Sequence, residues 1–188
     1  MNSRNEVKLC GTICESPAEA FEENRKKIYR TKIAVKRNSG TEDILQMLMG
    51  SVYAESIKKG DSVIAYGRIC TKNIDGHLSV ACKAHSIVKV DPKVSHCNNV
   101  DLEGRICKKP YYRNLGRREI TNVILASNTG SHSYYVPVIV WGYDSREVAQ
   151  MEVGEHLRIQ GRLQSRKYIG SDFEEHLTYE VSSVQIKG

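Results

Sequence analysis

Leu102-Glu103-Gly104-Arg105-Ile106, with Pro110 shortly after it, is a near copy of Leu9-Cys10-Gly11-Thr12-Ile13, with Pro17 shortly after it. A second pair of anchors lies downstream at almost the same offset, where Gly60-Asp61 and Gly67-Arg68-Ile69 match Gly154-Glu155 and Gly161-Arg162-Leu163. Between the anchors Asn38-Ser39-Gly40 aligns with Asn128-Thr129-Gly130 at a slightly shorter offset, so the copies differ by a few residues around that turn. A period of about ninety residues is too long for a solenoid repeat and suits two complete small domains. The 188-residue chain therefore reads as two tandem domains, 1–91 and 99–188, joined by a linker at 92–98 where Pro92 and polar residues cluster.

Within the second copy, Val100, Leu102, Gly104 and Ile106 share one face at period two, which predicts a half-buried strand over 100–108. Further strands are expected at 119–127, 134–141, 156–168 and 177–186. The strand at 134–141 contains Pro137, which cannot donate to a ladder, so that strand should be an edge or carry a bulge there. Asp144 followed three residues later by Glu147 predicts a short helix through Gln150. The first copy repeats the order, with strands at 6–14, 29–37, 43–49, 62–70 and 78–90 and a helix at 51–58. Five strands with a helix after the third is the order of the OB barrel, a Greek-key fold whose face and loops commonly bind oligonucleotides. The expected fold class is all-β: two tandem five-stranded OB barrels, each with a short helix after its third strand.

Composition fits this reading and narrows the partners. The hydrophobic fraction of 40% with 27% charged residues is ordinary for a globular protein. No apolar run approaches transmembrane length, and the first residues lack the apolar core of a signal peptide, so a cytoplasmic location is expected. In that compartment the six cysteines should be reduced thiols. The net charge of +6 favours a polyanionic partner, since basic side chains gain by displacing counterions from phosphates.

Single strands are held by a positive groove along the phosphates and by aromatic rings on which bases stack. Four of the 13 aromatic residues precede the linker and nine follow it. Five arginines precede it and eight follow, whereas eleven of the lysines occur up to the end of the linker and four after it. Arginine can stack on a base as well as neutralise a phosphate, so the second domain is the better binder. Its candidates are Tyr135 and Trp141, six residues apart and hence on one strand face, with Arg166, Lys167 and Tyr168 at the end of the fourth strand. The competing reading buries Trp141 in the core and makes Tyr168 a cover over the barrel end. Arg105 and Arg162, within the repeated motifs, join the set as charged contacts. In the first copy, aligned positions hold Asp43, Met49 and Ile74, none of them aromatic, leaving charge such as Lys36 and Arg37 as its contribution.

The segments NVDLEGRI, KKPYYR, VIVWG, VGEHLRIQGRLQSRKY and TYEV, in that order, resemble the bacterial single-stranded DNA-binding protein family over 99–186. The first copy resembles it faintly, through LCGTI and KKGDSVIAYGRI. The resemblance implies base stacking on Tyr135, Trp141 and Tyr168, and suggests Arg113 and Arg166 as phosphate neighbours. It further implies four OB domains per functional unit, which two domains per chain would supply as a homodimer, and work in DNA replication, recombination or repair. Members that recruit replication enzymes end in an acidic tail with a hydrophobic tip, whereas this sequence ends Val184-Gln185-Ile186-Lys187-Gly188, so tail-mediated partners are not expected.

Other chemistries find little support. Cys10 and Cys14 fall within one predicted strand, no paired CxxC occurs, and Glu174-Glu175-His176 lacks the second histidine of a metalloprotease helix, so no metal and no other cofactor is expected. No nucleophile, base and orienting group are grouped in the sequence, nor is there a phosphate-cradling glycine pattern, so the chain does not read as an enzyme. The alternative to a DNA binder is an OB-fold adaptor between proteins, or a primosome accessory protein with weak or RNA-directed binding. Stacking is indifferent to the sugar, which keeps RNA open as a ligand.

Overall fold

The computed structural model describes residues 3–74, 77–130, 132–169 and 175–187, the side chains of 168–169 and 175–176 apart. Two compact units emerge: Val7–Cys70 with Ala81–Asn98, and Asn99–Gly188 with the short segments Met1–Glu6 and Thr71–Val80. The first barrel is built from β1 (Asn5–Ile13), β2 (Ala18–Glu23), β3 (Lys26–Lys36), β4 (Glu42–Gly50), α1 (Ser51–Ser56), β5 (Ser62–Ile74) and β6 (His77–Lys89). Turns occupy 92–94 before β7 begins at Cys97. The second barrel comprises β7 (Cys97–Ile106), β8 (Tyr111–Asn114), β9 (Glu119–Thr129), β10 (His132–Trp141), α2 (Tyr143–Gln150), β11 (His156–Ile169) and β12 (Glu175–Lys187).

Both copies close in the same way. In the first, β3, β4, β6, β5 and β1 are neighbours in that order and β1 returns to β3 through Thr12↔Ala34 and Ile13↔Ile33. In the second, β9, β10, β12, β11 and β7 follow the same path and β7 returns to β9 through Arg105↔Ala126 and Ile106↔Leu125. Each barrel contains one parallel pairing, Met47↔Cys82 between β4 and β6 and Val138↔Val181 between β10 and β12. These are two OB barrels, as the strand order predicts. The short strands β2 and β8, absent from the sequence reading, add one antiparallel strand beside β3 and β9 respectively.

Alternation decides what faces the core. Val100, Leu102 and Ile106 of β7 are buried, as are Tyr134, Val136, Val138 and Val140 of β10, while Leu125, Ile159 and Leu163 fill the barrel from the other strands. Each such side chain contributes about 1.5–3 kcal/mol when taken fully out of water. Pro137 is accommodated by the pairing of its strand. It lies opposite Ile124 on the β9 side, whereas the pairing with β12 starts only at Val138, so one flank of β10 is open to its N-terminal side. The expectation of an edge position at Pro137 thus holds on that flank.

The repeated glycines mark the seams. A Cβ on Gly104 would stand 2.6 Å from the Ala126 carbonyl oxygen, and one on its counterpart Gly11 would meet the Ala34 carbonyl. Gly67 and Gly161 stand in the same relation to the carbonyls of Lys83 and Ser182. In both copies the first strand must turn from one neighbour to pair with another, and the missing side chain lets the backbones approach.

A carboxylate also braces the second unit. Asp101 accepts two hydrogen bonds from Arg158, at 3.0 and 2.8 Å, and one from Arg4 at 3.2 Å. Its bonds to Arg158 hold its pKa below the usual 3.8. The stabilisation from a depressed carboxylate is complete above the unfolded value and is lost as pH falls through the folded one. Asp101→Asn should therefore flatten the fall in urea midpoint between pH 5 and pH 2, and an unchanged pH profile would count against this role.

Candidate functional site

Tyr135, Pro137, Ile139 and Trp141 of β10 are opposite in parity to the core-facing Tyr134, Val136, Val138 and Val140; Ile139 is itself buried and Pro137 half-buried, so the exposed rings stand at the two ends of this face. Tyr135 is 53% exposed and Trp141 39% exposed, so the two rings predicted to share a face do share it and neither lies in the core. The Trp141 indole N–H donates to the Ser182 hydroxyl at 3.0 Å, which orients the ring against β12. Beside it an open groove of about 480 Å³ is lined by Trp141, Arg117, Arg118, Arg162 and the 182–184 segment of β12. Glu119 reaches the same groove but is held by Arg146 through two bonds of 2.6 Å, which pull its pKa below the usual carboxylate range.

Other aromatics extend the surface. Tyr111 and Tyr112 on β8 are 62% and 38% exposed, and the Arg113 guanidinium lies 5.7 Å from the Tyr111 ring centre, within cation–π range. Tyr143, at the start of α2, is the most exposed of the bulky apolar and aromatic side chains described, at 81%. The sequence reading took only Arg113 from this region. The signal was present as adjacent tyrosines beside an arginine, but the strand that displays them is four residues long and shows no alternation.

The remaining predicted residues are distributed as follows. Arg166 is half exposed and 3.8 Å from Glu180, itself already bound by Gln164 at 2.8 Å. Lys167 is exposed, opposite Leu177 in the β11–β12 hairpin. Tyr168 stands opposite His176 in that hairpin, and its side chain lies outside the described residues. Arg105 donates to the Gly154 carbonyl at 2.8 Å. Arg162 lines the groove, and its Nε is buried without a partner. In the first barrel Lys36 is exposed, while Arg37 grips the buried Asp43 through bonds of 2.6 and 2.5 Å. Arg37 is thus engaged in the fold of its own domain.

The first copy needs a correction of register. Because Met47 occupies the parallel-pair position that Val138 holds in the second copy, Ile44 and Gly50 correspond to Tyr135 and Trp141, not Asp43 and Met49. Asp43 and Met49 point inward and are 1% exposed. The outward positions are still without an aromatic ring.

Nucleophilic chemistry at Cys70 and Cys82 is disfavoured, since burial pushes Cys70 up to about 11 and Cys82 up to about 12. Among the described residues no group of three or more His, Cys, Asp and Glu side chains could hold a metal ion, and no helix is long and apolar enough to cross a membrane.

Residues 97–187 match the model of the single-strand binding protein family. That match spans the second barrel, a little under half of the chain. The wild-type single-stranded DNA binding protein from Thermus aquaticus has a similar structure, with a TM-score of 0.80 at 18% identity, over 100% of this chain and 93% of that one. A deletion mutant of the same Thermus protein gives 0.79 at 18% identity, over 99% and 94%. The likeness therefore runs through both barrels, including the first, which the family model does not reach. No curated protein sequence matches the chain. Of the three rings that the family resemblance assigns to stacking, Tyr135 and Trp141 are exposed on one face of β10.

Proposed function

We propose that this protein binds single-stranded DNA with little sequence preference, resting bases on Tyr135, Trp141 and Tyr168 and neutralising phosphates with the arginines around them. The observation that carries this reading is the pairing of Tyr135 and Trp141 on one outward strand face next to a groove lined by three guanidinium groups. The chain's charge of +6 and the match of its second barrel to the single-strand binding protein family support it. Arg113, Arg166 and Lys167 extend the phosphate track, and Arg105 and Lys36 add long-range attraction. The protein acts without catalysis or cofactor in DNA replication, recombination or repair in the cytoplasm, as a homodimer that presents four barrels.

The test uses the sole tryptophan as the reporter. Titration with oligo-dT of increasing length should quench Trp141 emission, with log affinity falling against log salt by about 0.7 per phosphate neutralised. Absence of quenching and of binding at low salt would overturn the reading in favour of a protein adaptor. A parallel titration with oligo-rU compares RNA with DNA.

A further inference from the structure

The groove beside Trp141 contains more positive charge than a stacking platform requires. Arg117 and Arg118 lie on the turn between β8 and β9, and among the described residues no side-chain partner is found for either. Arg162 enters from β11. The one carboxylate in the lining, Glu119, is already neutralised by Arg146. Ser182 and Ser183 of β12 also line it, and Ser183 is only 7% exposed with a hydroxyl that has no hydrogen-bond partner. A buried hydroxyl without a partner is costly, and guanidinium groups with nothing to bind are suited to a planar or tetrahedral oxyanion. Trp141 lines the same groove with its ring oriented by Ser182, so a base resting on it would bring its own backbone close to the arginines.

We propose that this groove holds the backbone phosphates next to the base on Trp141, so that a bound strand leaves the β10 face between the Arg117–Arg118 turn and β12. The site rests on the single-strand-binding function proposed above and adds the direction in which the strand continues. It assigns phosphate contact to Arg117 and Arg118, two residues outside the repeated motifs.

The experiment compares the full chain with Arg117→Ala/Arg118→Ala and with Lys58→Ala/Lys59→Ala, a pair of the same charge on the other unit. Binding of labelled oligo-dT is followed by anisotropy across a salt series, with Trp141 emission recorded alongside. The arginine double variant should lower the salt slope by about 0.7–1.4, equivalent to one or two lost phosphate contacts, while Trp141 is still quenched at saturation. The lysine pair should leave the slope unchanged. Equal slope changes in both variants, or none in the arginine variant, would overturn the site while leaving DNA binding intact. A wild-type chain that fails to bind would overturn the function itself, and the site with it.

Discussion

Gly104→Ala is expected to lower the stability of the second barrel by about 3 kcal/mol, the upper end of the usual cost of forced overpacking. The added methyl would lie 2.6 Å from the Ala126 carbonyl oxygen, 2.9 Å from its carbon and 3.2 Å from the Ser127 nitrogen. All three are backbone atoms of β9, a strand paired at Ala126 with β7 on one side and β10 on the other. A flexible side chain could swing away, but a strand held on both flanks can move only by breaking its ladder. The change should be read from the urea midpoint of Trp141 emission, which reports this domain. Gly50→Ala provides the comparison, because its φ of −78° is open to any residue and nothing lies within 4 Å of the new methyl. That variant, followed by circular dichroism because Trp141 lies in the other barrel, should lose about 1 kcal/mol at most, the cost of alanine in place of glycine at a helix N-cap. A Gly104→Ala protein that unfolds at the wild-type midpoint would show that the β7–β9 seam is not closed in the way described.

That seam explains why the fold was legible in the sequence. The strongest repeat anchors were the glycine motifs because closure of the barrel needs a residue without a side chain at the same place in each copy. The alternation of Val100, Leu102 and Ile106, and of Val136, Val138 and Val140, located two more strands. What escaped were β2 and β8, whose sequences AEAFEE and YYRN stay largely in solvent and so have no buried phase to alternate with. The register of β4 was misjudged for a related reason. Asp43 is a charged residue buried through its ion pair with Arg37, so it gave no hydrophobic signal of the inward face that would have corrected an alignment slipped by one residue between the repeat anchors. In the site, the spacing of Tyr135 and Trp141 was sufficient to place them on a common face, since a strand's side chains repeat every two residues. Arg117 and Arg118 could not be found that way. Their neighbours in the groove, Arg162 and the 182–184 segment, are far off in sequence, and an arginine pair in a turn looks like any solvated charge run until the barrel brings β12 beside it.

Trp141→Ala and Tyr135→Ala should each weaken oligo-dT binding by about 1–3 kcal/mol, the range for loss of one stacked base. At 1.4 kcal/mol per factor of ten, that is roughly five- to 150-fold for each. The two side chains are separated by Pro137 and Ile139 on the same face and do not share a hydrogen-bond partner, so the double variant should lose close to the sum. Anisotropy of a labelled oligonucleotide must serve as the readout, because the first substitution removes the only tryptophan. Trp141 has a second attachment, its N–H bond to Ser182, and loss of that bond could by itself disturb β12. Trp141→Phe separates the two effects, since it keeps a flat ring and removes the donor. Stacking predicts that the phenylalanine variant retains most of the affinity, whereas a purely structural tryptophan predicts that both variants lose stability and binding together. Ile44→Ala, at the corresponding position of the first barrel, removes no ring and should leave affinity unchanged. If the Tyr135 and Trp141 alanine variants, folded to the wild-type midpoint, bind within twofold of wild type, bases do not rest on this face of β10.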